Sequence, residues 1–261
     1  MVHAWKACGR KPSRVRVPPP PPVKIIFLNT WYAKAGNGFF DFVRANSLET
    51  DTFCFQEVDP ELYKKLALLL PGHNGLYESY GKVGALGKVN GHAVFVRKTM
   101  KIILSEKISL YKQTRNDNGF MQYVELDLNG KKIHLANLHG KAYPGHKLDT
   151  STRLAQTTKI ITFFSDKKSL KIIGGDLNLL PETKSVETLE DAGYRNLIKD
   201  FRIEKTRNEI AWEFHGNAEK NFVRQYYADY VFVSPNIKIN SFEVPDVDIS
   251  DHLPLILDFD I

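Results

Sequence analysis

Cysteine is nearly absent. Cys8 and Cys54 are the only two in 261 residues, so a disulfide framework is excluded and a reducing, cytoplasmic setting is expected. Long apolar runs are missing too. No stretch approaches the ~20 residues needed to cross a bilayer, and neither a signal-peptide segment nor an amphipathic membrane anchor is visible. Zinc chemistry lacks its ligands: there is no thiolate cluster and no His-x-x-x-His pair. Finally, the body of the chain lacks an excess of either charge. The formal charge is +6, yet Lys6, Arg10, Lys11, Arg14 and Arg16 of residues 1–22 stand there without an acid. Setting those five aside leaves 31 basic against 30 acidic residues. Global charge therefore makes no case for binding long nucleic-acid tracks.

What remains is an ordinary globular composition, 43% hydrophobic and 25% charged, long enough for one large domain. Residues 1–22 end in Pro18-Pro19-Pro20-Pro21-Pro22 and can form neither helix nor central strand. They read as a basic arm for anionic polymers, as a disordered tail, or as a misassigned start. Val15-Arg16-Val17-Pro18 is what a transfer-RNA T-loop encodes when read in frame, and Val23 would then be the initiator through a GUG codon. From Val23 to Ile261 strand and helix signals interleave in one domain. Strands are expected over 24–28, 52–56, 93–97, 101–104, 122–128, 132–138, 170–174, 230–234, 237–239 and 255–259. Helices are expected over 39–45, 60–69, 150–164 and 185–191, the third capped by Asp149. Asn129-Gly130 reads as the turn of a hairpin. Several strands are apolar at successive positions, which implies burial on both faces, as when two sheets pack together with helices outside.

Five of these apolar strands meet a polar group at one end. Asn29 follows Ile25–Leu28, Glu57 follows Phe53–Gln56, His139 follows Leu135–Leu138, and Asp176 with Asn178 follows Ile172–Gly175. Ser250-Asp251-His252 leads into the last strand. Such a set builds a site along one rim of a sandwich. The oxygen donors Asn29, Glu57, Asp176, Asn178 and Asp251 suit Mg²⁺ or Mn²⁺ and a phosphate-bearing substrate. His252 and His139 can each act on a phosphate ester, and Asp229 at the mouth of another strand can orient an imidazole. Asp176 and Asn178 are two apart, so in extended chain they face the same way.

At these residues the chain resembles the endonuclease/exonuclease/phosphatase superfamily, the fold of pancreatic-type deoxyribonuclease. The motifs are Leu28-Asn29-Thr30-Trp31, Gln56-Glu57-Val58, Asn137-Leu138-His139-Gly140, Gly175-Asp176-Leu177-Asn178, Ala228-Asp229-Tyr230 and Ser250-Asp251-His252-Leu253-Pro254, in the family's order from about Val23 to Ile261. The resemblance implies an α/β (α+β) four-layer sandwich, two packed mixed and mainly antiparallel sheets flanked by helices. It implies a metal-dependent phosphoesterase with Glu57 the principal metal ligand and Asn29 and Asp251 beside it. Asp176 would align the attacking water, Asn178 would steady the phosphate, His252 would contact it while paired with Asp229, and His139 would serve the phosphate or the leaving oxygen. Tyr227 stands where apurinic-site nucleases carry Arg, and Gln56-Glu57-Val58-Asp59 lacks their Lys, so DNA repair is not the expected role.

The expected activity is Mg²⁺- or Mn²⁺-dependent hydrolysis of a phosphodiester, nucleic acid included. A phosphatase or phosphodiesterase acting on a lipid, sugar or inositol phosphate is the alternative, and a non-catalytic binding module the second. A monomer is expected. No interleaving of aromatic and basic residues marks a stacking platform. Arg153 and Arg115 read as solvated or capping residues, His92 and His134 as packed or edge residues, Trp31 as core or site wall, and Gly81, Gly84 and Gly87 as a loop beside the cleft. Protein beginning at Val23 is expected to melt with the full chain, since the tail has no apolar face to dock; a large loss of melting temperature on its removal would show that it docks.

Overall fold

The structure, a computed structural model, describes residues 22–83, 87–113, 118–216 and 224–261. Nearly all of the Pro-rich tail, Gly84 and Arg115 lie outside the described residues. In chain order the elements are β1 (Val23–Asn29), a 3₁₀ turn (Trp31–Ala33), α1 (Asn37–Asn46), β2 (Thr52–Val58), α2 (Pro60–Leu69), β3 (His73–Val83), β4 (Val89–Arg97), β5 (Lys101–Ser109), β6 (Phe120–Leu128) and β7 (Lys131–His139). They continue with α3 (Ser151–Phe164), β8 (Leu170–Asp176), α4 (Lys184–Asp191), β9 (Arg195–Asn196), α5 (Leu197–Asp200), α6 (Glu209–Gly216), β10 (Asp229–Val233), β11 (Lys238–Glu243) and β12 (Leu255–Asp260). The strands form two six-stranded sheets, ordered β11-β12-β1-β2-β4-β3 and β5-β6-β7-β8-β10-β9. Among the described residues β1–β2 and β7–β8 pair in parallel and the remaining pairs are antiparallel. This is the expected sandwich, α/β with two packed sheets.

Successive apolar residues in the central strands have two different partners. In β1, Ile25 and Phe27 belong to the main core, with Leu135, Ile173 and Val231 of the second sheet. Ile26 and Leu28 belong to a separate core with Phe39 and Val43 of α1 and Leu62 and Leu66 of α2. The pleat sends alternate side chains to opposite faces, so an unbroken apolar run is what a doubly covered strand needs. Free Cys54 is buried in the main core.

The Asn-Gly hairpin forms as expected: Leu128 pairs with Lys131, and Asn129 (φ 55°) and Gly130 (φ 81°) turn the chain. Three readings are corrected. The 73–83 segment is a strand, β3, with Gly81 inside it rather than in a loop. Its polar residues and glycines obscure any alternation, because an edge strand pairs on one side only. Asp149 does not cap α3. Thr150 does, accepting from Arg153 N–H at 3.2 Å, while Asp149 accepts from the Lys184 and Ser185 amides at the start of α4 (2.6 and 3.1 Å). Arg153 is not solvated. It is fully buried and donates to the carbonyls of Lys141, Ala142, Pro144 and Leu148 at 2.5–3.1 Å. A buried guanidinium needs such a set of acceptors, and here they clamp the 141–148 loop against α3.

Gly175, next to the end of β8, has φ +125°, and a Cβ there would lie 2.3 Å from the Leu138 carbonyl oxygen and 2.9 Å from Gln56 Nε2. Both the dihedral and the space demand glycine. Gly175→Ala is expected to destabilise the fold by at least about 2 kcal/mol, read from the urea midpoint.

Candidate active site

Register assembles the site. His139 is the Cα partner of Asp176 across β7–β8, and Asp176 is the partner of Asp229 across β8–β10. Three neighbouring strands therefore place His139, Asp176 and Asp229 in one row at the rim of the second sheet. On the first sheet Asn29 is the partner of Gln56 across β1–β2. Gln56 and Glu57 together oppose His92 alone, a bulge between Phe55/Ala93 and Val58/Gly91. The bulge, with Glu57 at φ 55°, breaks the strand's alternation and re-aims the carboxylate. Thr30 Oγ1 fixes that backbone by donating to the Gln56 and Glu57 carbonyls at 3.0 and 2.9 Å.

The Ser250-Asp251-His252 segment is tied down from three sides. Ser250 Oγ donates to the Asn29 carbonyl (2.7 Å), Asn208 Nδ2 to the Ser250 carbonyl (2.8 Å), and Leu253 N–H to the Thr206 carbonyl (2.8 Å). His252 Nδ1 thereby sits 2.8 Å from Asp229 Oδ2. Its Nε2 lies 3.7 Å from Asp176 Oδ2 and 3.9 Å from Asp251 Oδ2. Asn29 Nδ2 donates to Asp176 Oδ2 (3.0 Å) and Glu57 Oε1 (3.3 Å), and its Oδ1 accepts from the Trp31 amide (3.1 Å). His139 Nε2 is 3.8 Å from Glu57 Oε1 and 3.7 Å from Asp176 Oδ2. The backbone N–H of Asn178 donates to Asp176 Oδ1 at 2.9 Å. Every residue singled out from the sequence as catalytic or metal-binding is thus brought into one connected group.

Three buried carboxylates, Asp176, Asp229 and Asp251, and the half-buried Glu57 in so small a volume set the electrostatics. Burial alone would lower the His252 imidazole, but Asp229, Asp251 and Asp176 outweigh it and hold it at about 9. Burial would raise Asp176, yet His252, His139 and Lys147 keep it below the usual carboxylate range. Glu57 goes the other way: burial pushes it up, opposed by His139 and reinforced by Asp251. Ligating atoms of Asp176, Asp229 and His252 lie within 4.8 Å of one another, but the 2.8 Å Asp229–His252 hydrogen bond occupies two of the three.

Two cations in the site carry no signal in the linear sequence. Lys147 is buried and its Nζ donates to Asn178 Oδ1. Arg207 is buried, pairs with Asp251 at 3.1 Å and bridges backbone to backbone with His252. Burial and the Arg207 charge push the Lys147 amine down to about 8. His92 and His134 are packed as expected: His92 is fully buried with its ring 4.5 Å from Phe120, and His134 meets Tyr123 Oη at 2.7 Å. Folding also pairs bases with aromatics that are not interleaved in sequence, Lys34 over Trp31 at 5.1 Å and Lys88 over Tyr32 at 5.2 Å.

A rim of carboxylates, amides and imidazoles between two stacked sheets is the site of a hydrolytic phosphoesterase. The chain belongs to the Endonuclease/Exonuclease/phosphatase family, whose model matches residues 27–252. No curated protein sequence matches it. Among solved structures it is similar to the human nocturnin catalytic domain with bound sulfate (20% identity, TM-score 0.66, covering 92% of this chain and 93% of that one). It is similar also to a mannosyl-6-phosphatase of Bacteroides thetaiotaomicron (16%, 0.67, 92% and 100%) and to an endonuclease/exonuclease/phosphatase of Bacteroides vulgatus (18%, 0.70, 92% and 99%). No helix among the described residues is long and apolar enough to cross a membrane.

Two buried groups make the stability of the metal-free protein depend on pH in opposite senses. His252, raised from 6.5 to about 9, contributes stability that is complete below pH 6.5 and fades as pH rises to about 9. Lys147, lowered from 10.5 to about 8, costs stability at low pH and returns it as pH rises above 8. In EDTA the urea midpoint should fall between about pH 6.5 and 8, level off to about pH 9 and then recover as Lys147 continues to return stability. Asp229→Asn should abolish the fall, and Lys147→Met should let it continue to about pH 9.

Proposed function

We propose that this protein hydrolyses phosphodiesters with Mg²⁺ or Mn²⁺, nucleic acids and nucleotides among its substrates. The observation that carries the reading is the register row His139–Asp176–Asp229 facing Asn29, Glu57 and Asp251-His252 from the opposite sheet. The donor set fits a hard cation: Glu57 Oε2 is buried without a hydrogen-bond partner, and a buried unpaired carboxylate oxygen is costly unless something positive meets it. Glu57, with Asn29 and Asp251, would hold the ion. When bound, it supplies charge neutralisation and polarisation of the phosphate.

The chain's own groups do the rest. Asp176 has one N–H on each oxygen, from Asn29 and Asn178, so it stays ionised and aligned to accept a proton from the attacking water. Asp229 orients the His252 imidazolium by accepting from Nδ1–H, leaving Nε2–H to donate to a phosphate oxygen. His139 faces the same space and serves the phosphate or the leaving oxygen. A phosphatase or phosphodiesterase of lipid, sugar or inositol phosphates is the second reading, supported by the likeness to the mannosyl-6-phosphatase.

The test is a panel of DNA, RNA, nucleotides, sugar phosphates, lipid phosphodiesters and bis(p-nitrophenyl) phosphate with Mg²⁺ or Mn²⁺. Turnover should stop in EDTA, and full activity there would overturn the metal role. Glu57→Gln should weaken metal use with the fold intact. His252→Ala should cut turnover about 10²–10⁴-fold; normal turnover in the folded variant would remove this residue from the mechanism.

A further inference from the structure

Lys147 is an unusual group to find beside a set of acids, because among the described residues no carboxylate partners it directly. Its Nζ meets the Asn178 carbonyl oxygen, and it is only 5% exposed, as is Asn178. An ammonium donates only, so it must face Oδ1 of the amide. That contact fixes which way the Asn178 amide points. The other end, Nδ2, is a buried donor with no partner, aimed away from Lys147. Arg207, close enough for its charge to act on Lys147, also keeps a buried Nε–H unpartnered. A buried donor left without an acceptor costs free energy, which a site recovers when an acceptor arrives. The backbone around Lys147 is held for this placement. Its φ is +55°, Leu180 N–H donates to its carbonyl at 3.0 Å, and Arg153 clamps the loop that carries it.

Charge counting gives the same direction. Glu57, Asp176, Asp229 and Asp251 face Lys147, Arg207 and His252, an excess of one negative charge with His139 set aside. A divalent cation turns that into an excess of one positive charge, and without Lys147 into none. Arg207 and His252 are each matched to an acid, so the charge that leaves the loaded site attractive to an anion is that of Lys147, which stands on an amide.

We propose that Lys147 is a phosphate-binding and positioning residue: it turns the Asn178 N–H groups towards the reacting phosphate and adds the charge that draws a phosphate group in. The proposal deepens the hydrolase reading and takes from it the role of Asn178 at the phosphate. Inorganic phosphate serves as the probe, titrated in Mg²⁺ by calorimetry so that no turnover is needed. Lys147→Met should weaken phosphate at least ~10-fold while the melting temperature holds or rises, since a buried ammonium is removed. Asn178→Ala should weaken it similarly, and adding Lys147→Met to Asn178→Ala should cost less than the product of the single effects, because one residue acts partly through the other. If the methionine variant folds poorly, Lys147→Gln takes its place, an uncharged side chain that still donates to Asn178. Unchanged phosphate affinity in the folded variant, fully multiplicative losses, or a wild type that takes up no phosphate would each overturn the proposal. Phosphate binding that depends on Lys147 in a protein that hydrolyses nothing would sink the hydrolase reading and leave this one standing.

Discussion

A buried amide pair joins the two sheets directly beneath the site, and the rest of the arrangement depends on it. Gln56 Nε2 of β2 donates to Asn137 Oδ1 of β7 at 2.5 Å, and Asn137 Nδ2 returns a bond to the Phe55 carbonyl at 3.0 Å. Apolar faces alone would let two sheets slide over one another with little penalty, since hydrophobic burial has no direction. A pair of amides with no access to water permits only stacking that brings them together. Gln56 is one residue before Glu57 and the register partner of Asn29, and Asn137 is two before His139. The polar tie in the core thus aligns the two rims, and the Asn29–Asp176 bond above it repeats the connection at the mouth.

Above that tie the site concentrates more negative charge than a protein interior tolerates unaided. The molecule answers with internal cations, each assigned to a place. His252 balances Asp229, Arg207 balances Asp251, and Lys147 stands on an amide rather than an acid. Glu57 is left with one oxygen uncompensated, which is where a hard divalent ion gains most. The same crowding raises His252 and lowers Asp176, an imidazolium beside a carboxylate, the division of labour that phosphate-ester hydrolysis needs.

How readily each part could be read from the sequence follows from how local its cause is. The hairpin at Asn129-Gly130 and the apolar runs of β1, β2, β7 and β8 are local and appear as expected. Their polar ends, Asn29, Glu57, His139 and Asp176, were legible because a strand's end is visible where its apolar run stops. β3 was not, since an edge strand of His73-Asn74-Gly75 and Glu78-Ser79 has no pattern to distinguish it from a loop. Arg153 reads as a surface residue because its acceptors are carbonyls, and carbonyls have no letter in a sequence. Asp149 reads as the cap of the helix that follows it, whereas it caps α4, 35 residues away along the chain.

The amino-acid sequence by itself determined the strands other than β3 and β9, the helices other than α5 and α6, the double burial of the central strands, and the identity of the polar residues at their ends. These depend on side-chain periodicity and on where apolar runs begin and end. The tertiary structure alone decided that His139, Asp176 and Asp229 share one register row, that the Glu57 bulge turns a carboxylate inwards, and that Lys147 and Arg207 enter the site. Those are matters of pairing between segments far apart in the chain, set by hydrogen-bond register and by the overall balance of buried charges, and neither condition can be read from any one segment.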